Sequence, residues 1–322
     1  MSFAAPLVLA IPSKGRLQEN AAGFFARAGL EIVKGGGSRD YRGRLAGLEE
    51  VEIAFLPTAD IVTQLASGAV HLGVTGEDLI RESIADADKR VVLLAALGFG
   101  HADVVVAVPR AWIDVKTMAD LEDVAAAFRA RRGERMRVAT KYVHLTRRFF
   151  AERHVADYRI VGSLGATEGA PAAGQAELIV DITTTGATLA ANGLKILEDG
   201  TILRSQAHLV ASLKAEWASG QRERARLILA RIAAAEAART TREVCAFLPL
   251  FDDALAGEAK RNFAARVLSS HEGRLVFNCP EEDAVRLADW LMALGAVQVN
   301  VTAQEYVFQA DNPFYEKLVA HL

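Results

Sequence analysis

The chain has 322 residues, 51% of them hydrophobic and 24% charged, an ordinary globular composition with length enough for two or three domains. Its net charge of −3 gives no basic field for nucleic acid, and no apolar run reaches the ~20 residues a membrane helix needs. Cys245 and Cys279 lie outside any CxxC and the histidines form no HxH or HExxH pair, which argues against a disulfide framework or a zinc site.

The N-terminal run through Pro12 lacks a positively charged start, so it reads as a first strand rather than a signal peptide and the expected location is cytoplasmic. Apolar runs then alternate with helical patterns. Strands are expected at Leu7–Ile11, Val51–Leu56, His71–Val74, Val91–Leu97, Val104–Val108, Arg137–Ala139, Arg159–Val161, Leu178–Ile182 and Ile202–Leu209. Helices are expected at Leu17–Ala28, Ala59–Ser67, Met118–Arg131 and Val143–Glu152. Such alternation implies parallel sheets covered by helices, the α/β class. Gly98-Phe99-Gly100-His101 joins two apolar runs without a helix, and Ile202–Leu209 reads as a strand returning past that point. A chain that crosses out and back forms two lobes with a cleft between them.

Beyond residue 213 the pattern changes. Ala215–Ala238 reads as a helix, and Arg274–Cys279, Glu281–Leu294 and Val297–Phe308 as strand, helix and strand of a small α+β domain beginning near residue 225. Segment 241–270, punctuated by Pro249 and Gly257, has too weak a period to assign.

The stretch Glu177-Leu-Ile-Val-Asp-Ile-Thr-Thr-Thr-Gly-Ala-Thr-Leu-Ala-Ala-Asn-Gly193 carries the strongest functional signal. A strand runs into a turn holding Thr183, Thr184, Thr185, Gly186, Ala187 and Thr188. Backbone N–H groups at such a turn lack internal partners and suit an anion, and the hydroxyls add donors. A threonine-capped corner explains the same residues without a ligand. Asp181 would repel a bare phosphate, but it suits a ligand carrying both a phosphate and sugar hydroxyls.

Other turns at strand ends add weaker candidates. Lys14 and Arg16 follow the first strand, as site cations or as a solvated turn capped by Ser13. Glu77 and Asp78 open a helix whose dipole favours them with or without a ligand. Lys141 leaves a strand end, Arg147 and Arg148 lie on the following helix, Glu168 sits in a loop upstream of the threonines, and Arg39 lies in a Gly-rich loop as a lid cation or part of a linker.

Read together, "IPSKGRLQE" (11–19), "LGVTGEDLI" (72–80), "LGFGHADVVVAVP" (97–109), "RVATKYVHLTRRFF" (137–150), "EGAP" (168–171), "ELIVDITTTGATLAANGLK" (177–195) and "ILRSQAHLVAS" (202–212) resemble ATP phosphoribosyltransferase. The resemblance implies a two-lobed catalytic core like type II periplasmic binding proteins, with lobe I at 1–100 and 195–224 and lobe II at 101–194. A regulatory domain would follow at 225–322, as in the family's long form. It implies that N1 of ATP attacks C1 of phosphoribosyl pyrophosphate (PRPP), with Mg²⁺ on the pyrophosphate, in the first step of histidine biosynthesis. By motif, Thr183, Thr184, Thr185, Gly186, Ala187 and Thr188 would hold the 5-phosphate and Asp181 the ribose hydroxyls. Lys14, Gly15, Arg16 and Leu17, with Gly76, Glu77 and Glu168, would meet ATP, and Asp181, Lys14 and Arg16 would carry catalysis. Direct metal ligands and histidine-binding residues stay unassigned. The resemblance further implies a homo-oligomer, dimer or hexamer, inhibited by histidine or by AMP or ADP. The rivals are a solute-binding module on the same fold, which would normally carry an export signal or a helix-turn-helix, and a phosphosugar sensor that does not turn its ligand over.

Overall fold

The structure is a computed structural model that describes residues 5–35, 41–163, 165–248 and 250–322; Arg39 and Pro249 lie outside the described residues. The chain divides into two compact units, one of Met1–Ala22, Val33–Gly220 and His321–Leu322, the other of Gly23–Ile32 and Gln221–Ala320.

In chain order the first elements are β1 (Leu7–Pro12), α1 (Gly15–Arg27), β2 (Ile32–Lys34), β3 (Arg42–Leu45), β4 (Leu48–Leu56), α2 (Thr58–Ser67), β5 (Leu72–Gly76), α3 (Glu77–Ser83) and β6 (Val91–Ala96). The chain then crosses to β7 (Asp103–Pro109), α4 (Met118–Arg132), β8 (Met136–Thr140), α5 (Val143–Glu152), β9 (Tyr158–Gly162), β10 (Leu178–Thr183), α6 (Ala187–Ala191) and β11 (Leu194–Leu203). It returns to β12 (Ala207–Ser212).

A seven-stranded sheet runs β2-β3-β4-β1-β5-β12-β6 and a five-stranded one β11-β7-β10-β8-β9. The two repeat one plan. In the first, β4-β1-β5 are parallel and β12 enters antiparallel between β5 and β6; in the second, β9-β8-β10 are parallel and β7 enters antiparallel between β10 and β11. Each lobe thus takes its antiparallel strand directly from a crossing. Where the sequence suggests one strand over 202–209, there are two, broken at Arg204–Gln206 as the chain passes between sheets. The two crossings run side by side, with Leu97 N–H on Ala207 O, Ala207 N–H on Phe99 O and Ala102 N–H on Ser205 O, at 2.9–3.0 Å.

Strands covered on both faces explain the long apolar runs. In β7, Val104, Val106 and Val108 pack with Phe150, Leu178 and Val180 on one face, while Val105 and Ala107 pack with Ala139, Ile179 and Leu189 on the other. That two-residue alternation follows from the pleat.

The other unit carries α7 (Ser219–Thr240), β13 (Thr241–Phe247), α8 (Asp253–Phe263), β14 (Arg266–His271), β15 (Arg274–Pro280), α9 (Ala284–Ala293), β16 (Gln298–Thr302) and α10 (Pro313–Val319). Segment 241–270 therefore does hold a strand, a helix and a second strand, and the small fold is β-α-β-β-α-β with sheet order β14-β15-β13-β16. Val244, Ala246, Phe277, Leu287 and Leu291 form its core. The strand expected over 297–308 stops at Thr302, and residues 303–312 form neither strand nor helix before α10. There Val307 N–H donates to Ala234 O and Asn312 Nδ2 to Arg226 O, holding the C-terminal stretch along α7.

Candidate active site

A cleft opens at the carboxyl end of β10, lined by His101, Ala102, Glu168, Asp181, the threonine loop and Leu189. Gly186 closes the turn at φ 76°, a conformation that favours glycine. The loop is braced from inside: Gly186 N–H donates to Thr183 Oγ1 at 2.8 Å and Ala187 N–H to Thr185 Oγ1 at 3.4 Å. Hydroxyls that accept those bonds keep their own protons for a partner in the cleft. Thr184 instead donates to His101 O at 3.0 Å, tying the loop to the outward crossing, and Thr188 is exposed. The helix behind the loop is five residues long, so the anion-binding capacity rests on loop N–H groups and hydroxyls more than on a helix dipole.

Asp181 sits half-buried beside this loop and accepts from the N–H of Ile182 at 2.8 Å. Burial holds its carboxyl above the usual carboxylate range; the Ile182 N–H and the charge of Lys141 oppose the rise, and Glu168 adds to it. The wall is thus a set of neutral donors around a carboxylate that accepts hydrogen bonds, an arrangement matched to a polyol that also bears phosphate.

The structure gathers Glu168, Asp181, Thr183, Thr184, Thr185, Ala187 and Thr188 on one cleft. Lys14, Gly15 and Arg16 are exposed at the start of α1, and neither cation pairs with a carboxylate among the described residues. Leu17 comes closer, because a methyl group built on Gly100, next to His101, would meet Leu17 Cδ1 at 3.1 Å. Gly76 and Glu77 lie at the start of α3, where Glu77 pairs with Arg81 at 3.2 Å. Sequence reasoning missed His101 and Ala102 as cleft walls, although it had marked their segment as a crossing. It also left Asp78 undecided; that side chain is buried and accepts from Tyr142 Oη at 2.7 Å.

The repeated sheet order and the double crossing define a two-lobed protein of the type II periplasmic-binding-protein fold class, with a hydroxyl-lined cleft in its second lobe. A family model described as ATP phosphoribosyltransferase matches residues 57–234, more than half of the chain. ATP phosphoribosyltransferases from Nitrobacter winogradskyi and Bradyrhizobium diazoefficiens are 60% and 59% identical, covering 98% and 99% of this chain and the same shares of their own. Among solved structures, the ATP phosphoribosyl transferase (HisG:HisZ) complex from Thermotoga maritima has a chain 25% identical, aligned over 70% of this chain and 96% of that one with a TM-score of 0.54. The chain belongs to the ATP phosphoribosyltransferase family and is a glycosyltransferase of the pentosyl-transferring kind.

Proposed function

We propose that the chain transfers the phosphoribosyl group of PRPP to N1 of ATP, giving phosphoribosyl-ATP and pyrophosphate, the first step of histidine biosynthesis. The observation that carries the reading is the joining of Asp181, Glu168 and the threonine loop on one cleft. In this reading Thr183, Thr185, Thr188 and the loop N–H groups cradle the 5-phosphate. Asp181 accepts from the ribose hydroxyls, and Glu168 faces the ribose or the adenine. Lys14, Gly15, Arg16 and Leu17 meet ATP from the first lobe with Gly76 and Glu77, and Lys14 and Arg16 balance charge on the departing pyrophosphate.

The chemistry asks for placement and charge rather than a nucleophilic side chain. The N1 lone pair forms the new N–C bond while the C1–O bond breaks and its electrons leave with pyrophosphate. Positive charge grows on the ribose and negative charge on the leaving group, so binding both substrates in line and matching those charges lowers the barrier. A carboxylate beside the sugar favours the first of these, and adenine N1 is already neutral and needs no base before attack.

No cluster of three or more His, Cys, Asp or Glu positioned to hold a metal occurs among the described residues. The two carboxylates of the cleft nonetheless suit Mg²⁺, which commonly binds through one or two carboxylates plus substrate phosphates and water. Asp181 and Glu168 would hold it, and when bound it would offset charge on the pyrophosphate.

No helix among the described residues is long and apolar enough to cross a membrane. We place the enzyme in the cytoplasm as a homo-oligomer, dimer or hexamer, with the segment from about residue 225 serving as a regulatory domain that responds to histidine, or to AMP or ADP. The cleft is tested by Thr185→Val and Asp181→Ala: each lowers kcat/KM for PRPP at least tenfold, roughly 1.4 kcal/mol. Unchanged kinetics in both would make the loop a capped corner and nothing more.

A further inference from the structure

The lobes are joined by more than their crossings. From the first lobe, α3 presents two carboxylates one turn apart, Asp78 and Glu82, to the start of α5 in the second lobe. Tyr142 Oη donates to Asp78 Oδ2 at 2.7 Å. The N–H groups of His144 and Leu145 each donate to a Glu82 oxygen at 3.0 Å. No side chain at the N-cap of α5 bonds its free N–H groups, so the helix takes its cap from the other lobe. A negative charge there also meets the positive end of the helix.

The return crossing locks the same carboxylate. Ser205 Oγ accepts from Asp78 N–H at 3.0 Å and donates to Asp78 Oδ1 at 3.1 Å, while Ser205 N–H donates to Asp103 Oδ1 at 3.2 Å. The fold-back leaves no room at Gly76, where a Cβ would lie 2.2 Å from Asp78 Oδ1. Asp78 is 5% exposed and Tyr142 1%, so the contact is made away from water, where such bonds are strongest and costliest to break.

Tyr142 is also linked to the cleft through its neighbour Lys141. It follows Lys141 at the end of β8, the neighbour of β10, and Lys141 Nζ lies 5.1 Å from its ring centre. Lys141 in turn acts on Asp181 through its charge.

We propose that Asp78, Glu82 and Tyr142 form an inter-lobe latch that fixes the spacing of the two lobes and the placement of the β8–α5 turn beside the threonine loop. The kinetic consequence rests on reading that cleft as the PRPP site, and Asp78 and Tyr142 act as positioning residues without touching substrate. In that reading each substrate is held from both lobes, PRPP by the threonine loop with Lys14 and Arg16 and ATP by Glu168 with the first-lobe turns, so a loosened latch weakens the binding of both.

The test pairs kinetics with a distance. Spin labels on Asp60→Cys in α2 and Glu122→Cys in α4, both exposed positions, report the inter-lobe distance by pulsed electron resonance in protein diluted with unlabelled chains; the native Cys245 and Cys279 are buried. Tyr142→Phe, which keeps the ring and removes the hydroxyl, broadens or shifts the distance distribution and raises KM for both substrates about tenfold with kcat within about twofold. Glu82→Gln, which keeps the shape and removes the charge, acts in the same direction, and Asp78→Asn adds little once Tyr142→Phe is present. A distance distribution identical to the parent's, or KM values within twofold of it, overturns the latch even if the melting temperature falls. Should the chain not turn over these substrates at all, the distance arm still decides whether the latch exists.

Discussion

Burial lifts the Asp181 carboxyl above the ordinary carboxylate range, against the opposing pull of the Ile182 N–H and Lys141 and with a further push from Glu168. A raised folded-state pKa means that the native protein binds the proton more tightly than the unfolded chain. Stability therefore falls as pH rises through the window between the two values, and at pH 7 the ionised side chain weighs against folding. Asp181→Asn removes that penalty and, in the proposed role of Asp181, weakens the hold on the ribose. It is expected to raise the melting temperature at pH 7 while lowering kcat/KM for PRPP at least tenfold, with the stability gain shrinking as melts are repeated down to pH 4. A variant less stable than the parent at pH 7 would show Asp181 to be a structural carboxylate. The flanking loop tells the same story in hydroxyls, since Thr183 and Thr185 brace the turn through their oxygen lone pairs and keep their protons available.

At the scale of elements, β1 and β5 are joined by an imidazole as well as by backbone. Val8 N–H donates to His71 Nδ1 at 3.1 Å, His71 N–H donates to Val8 O at 3.0 Å, and the other ring nitrogen meets Glu216 O at 3.1 Å. This fixes a neutral ring with its proton on Nε2, packed edge-on against Trp217. Burial lowers the His71 pKa despite the Glu216 carbonyl, so the unfolded chain takes up the proton first on acidification. The associated stability is complete above about pH 6.5 and is lost as pH falls below it toward the folded-state value. Thermal melts from pH 7.5 to 5.5 should show the parent losing stability over this window. His71→Gln should start about 1–3 kcal/mol lower and lose less, and equal pH slopes in both would remove the histidine from the account.

The same scale shows what could be read from sequence. The first strands of each lobe and β10 were legible because strands covered on both faces are written as continuous apolar runs. By contrast β3, Arg-Gly-Arg-Leu, buries one side chain and exists through its pairing with β4, so its own residues carry no strand signal. The strand β11 contains Glu198-Asp199-Gly200 and pairs with shifted register, which hid its first half. In β13 the core-facing signal comes from Val244 and Ala246, too little to outweigh the Thr-Arg-Glu that opens the strand. The threonine loop was legible because its parts are adjacent in sequence, and its chemistry follows from composition and turn geometry. The latch was not, since Asp78 and Tyr142 stand 64 residues apart and meet through the packing of two lobes.

Across the whole molecule, the chain divides into two compact units. The twin sheets carry a repeated strand order and a cleft built from crossing, loop and strand end, while the β-α-β-β-α-β unit has a core of its own. The proposed regulatory role of that unit predicts that histidine lowers the turnover rate of the full chain in a saturable manner. Activity unaffected by millimolar histidine would mean that this unit serves another purpose. The central claim is the transfer itself, and the most direct measurement is a continuous absorbance assay of the purified chain with ATP, PRPP and Mg²⁺ in the presence of pyrophosphatase. Product absorbance that requires all three, and that falls at least tenfold in Asp181→Ala, is the result predicted; folded protein that binds PRPP and never forms phosphoribosyl-ATP would contradict the account and leave a phosphosugar sensor in its place.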